Sequence, residues 1–146
     1  MPQPGQQPIY HRAFQFSVEI DGIIGAHFQE AGGVDATVDT IEYREGGDRL
    51  NVRKLPGLTK HGNLTLKRGY TDDHQLWDWF GDAMAGAESI RRNISVVQLD
   101  MSGKEVMRWN LFNAFPVKYT APAFNAKTNE LSIETVEIAY ERVERA

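Results

Sequence analysis

The 146-residue chain contains no cysteine, which excludes disulfides, thiolate metal sites and a cysteine nucleophile. It has no apolar run near the roughly 18 residues that a membrane-spanning helix needs. Residues 1–8, MPQPGQQP, lack the basic start and apolar centre of a secretory signal, and residues 1–9 read as a flexible arm. The histidines, His11, His27, His61 and His74, are scattered without HxH or HExxH spacing. Asp72 and Asp73 precede His74, but at a helix start they serve as caps rather than ligands. No G-x-S-x-G elbow and no glycine-rich phosphate loop ending in Lys-Ser/Thr occurs. Glu42 and Glu45 lie in a polar stretch where nothing would desolvate them or shift their pKa values. These absences predict a protein that is not an enzyme, with no catalytic, cofactor or metal residues. A chain without cysteine also suits the cytoplasm.

Charge narrows the partners. The 16 basic and 20 acidic residues leave a net charge of −4, the wrong sign for a general nucleic-acid binder. The distribution is uneven. Between Glu42 and Gly69 stand Arg44, Arg49, Arg53, Lys54, Lys60, Lys67 and Arg68 against Glu42, Glu45 and Asp48. From Thr128 onward Glu130, Glu134, Glu137, Glu141 and Glu144 face only Arg142 and Arg145. The two segments either meet across a subunit boundary, where opposed charge sets register and partner choice, or are solvated faces.

What is present is period-two alternation. Phe14, Phe16, Val18 and Ile20 alternate with polar residues before the Asp21-Gly22 turn. Leu64 and Leu66 alternate with Asn63, Thr65 and Lys67. A hairpin runs through Ile94, Val96, Val97 and Leu99, turns at residues 100–103, and returns through Val106 to Trp109 and Leu111. The last run, Asn129 to Arg145, has no Gly or Pro and reads as one strand. Its phase slips, because Leu131 and Ile133 point one way and Val136, Ile138 and Tyr140 the other. That predicts either a bulge near Glu134–Thr135 or a strand covered on both faces. One helix is predicted over about residues 72–86, capped at Thr71 and closed by Gly86. Its stripe of Leu76, Trp77, Phe80 and Met84 is the expected core face, which leaves Trp79 as the exposed contact.

The segment from Ile41 to Gly69 does not fit a core. It joins a strand-like IEYRE, a Gly-Gly turn, a second arm ending Lys-Leu-Pro-Gly, and the strand NLTLKRG. Loops beyond about 12–15 residues are usually functional or disordered, and the paired strand signals argue against disorder. We read a projecting hairpin over about residues 41–60 that pairs with another copy of the chain.

In order and spacing, several pieces resemble the tail-tube proteins of contractile phages and phage-tail-like contractile injection systems. They are Phe16–Gly22, Phe28–Gly33, Glu42–Gly47, Lys54–Gly57, Asn63–Gly69, the Trp77 helix, Trp109, Ala114–Tyr119, Pro122, Asn125-Ala126 and Asn129-Glu130. The resemblance runs from about Tyr10 to Glu144. It implies a mainly β fold in one domain, residues 10–146: a small β-barrel, or two orthogonally packed antiparallel sheets, flanked by one helix. It further implies hexameric rings stacked into a hollow tube that a contracting sheath drives through a target envelope. Implied partners are other copies, the sheath protein, baseplate, spike and tube-terminating proteins, and effector-protein or DNA cargo, with assembly in the bacterial cytoplasm and no membrane insertion. The expected subunit-interface residues are Tyr43, Arg44, Glu45, Gly46, Gly47, Arg49, Arg53, Lys54, Leu55, Pro56 and Gly57 of the hairpin, with Glu134 and Glu137 of the last strand. Alternatives are a type VI secretion-like tube shuttling effectors, or a monomeric β-barrel binding module.

Overall fold

A computed structural model describes residues 15–23, 28–44, 46–47, 50–69, 74–124, 126–127 and 132–146. The first strands are β1 (Phe16–Ile20), β2 (Glu30–Gly32), β3 (Thr37–Tyr43), β4 (Arg53–Lys60) and β5 (Leu64–Gly69). After them come α1 (Gln75–Met84), β6 (Arg92–Leu99), β7 (Glu105–Thr120), β8 (Ile133–Ala139) and β9 (Arg142–Arg145). Seven strands form one antiparallel sheet in the order β1-β6-β7-β8-β5-β2, with β9 added to β7, while β3 and β4 pair only with each other. The expected flexible arm, residues 1–9, lies outside the described residues.

The sheet folds back on itself through β7. Along one edge β7 pairs with β6, and along the other it pairs first with β9 and then with β8. Sixteen residues cannot follow that path straight, and β7 bends where extra residues interrupt its ladders. One interruption lies between Leu111 and Ala114, where Asn113 adopts a positive φ of 55°. Another lies at Val117, just past Pro116, which has no N–H to give a ladder. Both half-sheets then face one core. Val18, Ile20 and Ile94 from one half meet Leu64, Leu66, Val136 and Ile138 from the other. The ends of the path, β1 and β2, are not hydrogen-bonded to each other. A cleft of about 200 Å³ lies there, lined by Phe16, Ala31, Val34, Val96 and Trp109.

The last run is two strands, not one. Tyr140 and Glu141 separate β8 from β9, because β7 bends at Asn113 and a neighbour must bend with it. Glu141 fixes that corner. Its N–H donates to the Phe112 carbonyl at 3.0 Å, and its carboxylate accepts from Arg91 at 2.6 Å and from Asn113 at 3.1 Å. The bulge expected at Glu134–Thr135 is absent, since β8 stays in register with β5 from Ile133 to Ile138. Inward positions run Glu134, Val136, Ile138 without a slip, with the charged Glu134 buried in line with apolar residues and Leu131 outside the described residues.

Glu134 stands on the third rung of an inward ladder, Leu64 opposite Ile138, Leu66 opposite Val136, and Arg68 opposite Glu134. Both charged side chains are buried, and the Arg68 guanidinium bonds the Glu134 carboxylate directly. The Tyr119 hydroxyl donates to the other carboxylate oxygen at 2.5 Å, and the Phe28 ring lies 5.9 Å from the guanidinium. Buried pairs of this kind contribute little over an apolar pair but are damaging when half removed.

The helix is turned relative to its predicted stripe. Trp79 is 1% exposed and belongs to the core with Leu76, whereas Trp77 is 47% exposed. The two faces share Leu76 and Phe80, so periodicity alone could not separate them. The indole N–H of Trp79 donates to the Ile90 carbonyl at 2.7 Å, which satisfies the one polar atom a buried tryptophan carries. Trp77 packs edge-on against Tyr119, with ring centroids 5.1 Å apart. The helix starts at Gln75, with Thr71 outside the described residues, and Gly86 ends it at φ 74° as expected.

Glu134→Ala removes the carboxylate that pairs with the buried Arg68 and should cost about 3–5 kcal/mol, read as a lower urea midpoint. Replacing both partners (Arg68→Met with Glu134→Leu) should recover most of the loss. A double variant as unstable as the single one would contradict this account of the rung.

Candidate assembly interface

The hairpin of β3 and β4 is where the expected interface lies. It begins at Thr37, earlier than predicted, and the Lys54-Leu55-Pro56-Gly57 stretch falls inside β4 rather than ending an arm. Pro56 pairs with Thr40, and the register shifts just beyond it, between Val38 and Thr40. A bulge is the place where a strand tolerates proline. Gly57 lies at this shift, where a side chain would crowd the Asp39 carbonyl at 3.0 Å and Ile41 at 3.3 Å. Gly46 and Gly47 sit in the turn with open space beside both.

The two faces of the hairpin differ. The register puts Ile41 opposite Leu55 and Tyr43 opposite Arg53, so Ile41, Tyr43 and Leu55 share one face. Glu42, Lys54, Thr40 and Pro56 share the other. Ile41, Tyr43, Val52 and Leu55 are all about half exposed, and Leu50 at the tip is 95% exposed. An apolar face left in water on a two-stranded hairpin, itself marginal in isolation, marks a contact surface.

The hairpin is nevertheless held at its root. Its two connections to the barrel, residues 33–36 and 61–63, are pinned by Tyr140, which follows β8. The Tyr140 hydroxyl accepts from the Asp35 N–H at 3.1 Å and faces the carbonyls of Gly33 and Asp35 at 3.2 Å each. Asp35 joins the second connection, accepting from the Gly62 N–H at 2.5 Å and, at its carbonyl, from His61 Nδ1 at 2.8 Å. His61 also stacks near Tyr140, with centroids 5.1 Å apart. Gly33 has φ 95°, and a side chain there would strike the Asn63 carbonyl oxygen at 2.3 Å. The root is therefore tightly packed while the arms are not.

The remaining expected interface residues separate. Tyr43, Arg44, Arg53 and Lys54 are exposed on the arms, and Glu45 and Arg49 lie outside the described residues. Glu134 is buried within the protomer. Glu137 lies 3.7 Å from Lys118 on the neighbouring β7. Glu141 pairs with Arg91 and Glu144 with Arg142. Among the described residues Glu134, Glu137, Glu141 and Glu144 thus each face a cationic partner within the protomer. Sequence reasoning missed the aromatic group of Trp77, Phe80 and Tyr119, whose ring centroids lie 5.1–6.4 Å apart. Two tryptophans two residues apart gave the only signal.

Among the described residues the hairpin is largely exposed and β1 and β2 each pair on one edge. The chain matches the family described as T4-like virus tail tube protein gp19 over residues 12–144, and it belongs to that family. Among solved structures it is similar to a chain of the PVC sheath-tube complex of an extracellular contractile injection system, in the extended state. Identity is 28%, the TM-score 0.83, and the match covers 94% of this chain and 91% of that one. It is also similar to a chain of the anti-feeding prophage tube-terminating cap, at 26% identity and TM-score 0.83, covering 97% and 93%. Hcp1 from Flavobacterium johnsoniae shares the fold, at 17% identity and TM-score 0.55, covering 91% and 95%. No curated protein matches by sequence.

Burial raises the Tyr140 pKa above its ordinary value; the bond from the Asp35 backbone N–H opposes this and the Asp35 carboxylate adds to it. A raised folded-state pKa means that the contribution to stability is complete below the unfolded value of about 10 and is lost as pH rises through the folded value. Urea midpoints should therefore fall above about pH 10, and Tyr140→Phe should flatten that part of the profile. At neutral pH the same variant should lose about 1–3 kcal/mol through the unpaired Asp35 N–H. An unchanged midpoint would show that the hydroxyl does not hold the root.

Proposed function

We propose that this protein is the inner-tube subunit of a contractile phage tail or phage-tail-like injection particle. Six copies form a ring, and rings stack into a hollow tube inside a sheath. The observation that carries this reading is the hairpin, whose Ile41 and Leu55 side chains are about half exposed and whose Leu50 is 95% exposed in the protomer. A neighbouring copy supplies their cover. The outer edges of β1 and β2 pair in the same way with neighbouring rings or subunits, which removes the aggregation liability of open strands.

Family membership and the likeness to sheath-tube and tube-cap chains support the partners: sheath, baseplate and spike, and tube-terminating proteins. The tube assembles in the bacterial cytoplasm and works mechanically. Sheath contraction drives it through an envelope, and its lumen conducts protein effectors or DNA. The subunit needs no catalytic group for this. The type VI-like alternative is weaker, because the Hcp likeness is one of fold at TM-score 0.55 against 0.83. A monomeric binding module would leave the hairpin unexplained.

Negative-stain electron microscopy of the intact chain should show rings or tubes with a central hole. Removing residues 46–55 should leave a folded protomer that builds neither, because none of the described residues in that segment belongs to the core. Normal tubes from the deletion would refute the role given to the hairpin.

A further inference from the structure

At their buried rung β5 and β8 are joined by residues 66 positions apart in the chain, so no turn aligns the two strands. A hairpin inherits its register from its loop, whereas a distant pair must take it from side chains. A slip by one residue is forbidden, because it turns the apolar set outward. A slip by two is the error that remains. It would set Leu66 opposite Ile138 and Leu64 opposite Tyr140, and all four belong to the core. Every apolar side chain stays inside, so alternation does not separate the slipped pairing from the native one.

The outward face does not choose either. In the native register Lys67 lies opposite Thr135, and Thr65 opposite Glu137. After the slip Lys67 would lie opposite Glu137, a favourable pair of charges. The objection comes from the third inward rung. Arg68, now against Glu134, would face Val136, and a guanidinium on a 4% exposed residue would lose its carboxylate. The opposite slip would press Glu134 against Leu66. Breaking a buried ion pair is strongly destabilising even though the intact pair adds little stability. Glu134 also holds the strand on its other side. Tyr119 of β7 sits opposite Val136, and its hydroxyl donates diagonally to Glu134 at 2.5 Å. One carboxylate therefore ties three neighbouring strands at a single level.

We propose that Arg68 and Glu134 are the register key of the barrel and, through β8, the positioning residues of the hairpin root. Tyr140 directly follows β8. Two residues of strand span about 7 Å, so a slip would carry its hydroxyl out of reach of the Asp35 N–H that it meets at 3.1 Å. The ion pair at one end of β8 thus fixes where the projecting arms leave the barrel at the other. This role belongs to the protomer and does not rest on the tube reading.

Cysteine pairs on the outward face read the register, since the chain has none of its own. Thr65→Cys with Glu137→Cys reports the native alignment, and Thr65→Cys with Ala139→Cys the slipped one. Directly opposed residues lie within the roughly 7 Å between Cα atoms that a disulfide spans, whereas diagonal ones, at about 7–8 Å, fall outside it. Refolded under mild oxidation, the parent chain should form the T65C–E137C bond and almost none of the T65C–A139C bond. In the background of Arg68→Met with Glu134→Leu, the T65C–A139C yield should rise about tenfold or more while circular dichroism shows a folded β protein. Arg68→Met alone should raise it too, because the slip moves Glu134, then without its arginine, past the end of β5; it carries the same test should the double variant not fold. A parent chain that forms both bonds equally, or folded variants that still form only the T65C–E137C bond, would overturn the proposal.

Discussion

A β-strand has two edges of hydrogen-bonding groups, and water or another strand must satisfy each. The architecture follows from how unevenly this chain meets that demand. β7 engages β6 on one edge and β9 and β8 on the other, which folds a single sheet into a core with two sides. Among the described residues β3 and β4 engage only each other, and β1 and β2 each have one neighbour. The same backbone chemistry that completes the barrel centre therefore leaves demand at its margins. Self-association is the solution that costs a repeating subunit least, because every copy brings the same edge.

The division also suits a mechanical part. A tube under axial thrust needs subunits that do not deform and contacts that do not slip. The inward ladder ending in Arg68 and Glu134, the Glu141 corner and the Tyr140 root tie distant parts of the sequence into one body. The arms beyond that root, β3 and β4, are hydrogen-bonded to each other and largely exposed.

Much of the fold was legible in the sequence. Val18 and Ile20, Leu64 and Leu66, and the turn at residues 100–103 lie where alternation and turn chemistry put them. The hairpin was legible for the opposite reason, being too polar to bury and too strand-like to be disordered. The rest needed tertiary information. Alternation reads apolar residues, so it missed Glu134 facing inward on a partner from 66 residues away and invented a bulge to explain the gap. Strand propensity does not say which sheet a strand joins, so the break at Tyr140 between β8 and β9 was invisible. Trp77 and Trp79 were interchangeable on a helical wheel until the Ile90 carbonyl fixed one of them inside. The exposed arms were identifiable from pattern, whereas the aromatic group of Trp77, Phe80 and Tyr119 depends on α1 meeting the end of β7 and no local motif announces it.

The central claim is that the hairpin completes its structure on a neighbouring copy. Hydrogen–deuterium exchange of the β3 and β4 amides, compared between dispersed protomers and assembled tubes, tests it most directly. The account predicts rapid exchange in the protomer, strong protection in tubes, and little change for the β7 and β8 amides already sealed in the barrel. Equal protection of β3 and β4 in both states, or tubes in which those amides still exchange freely, would contradict it.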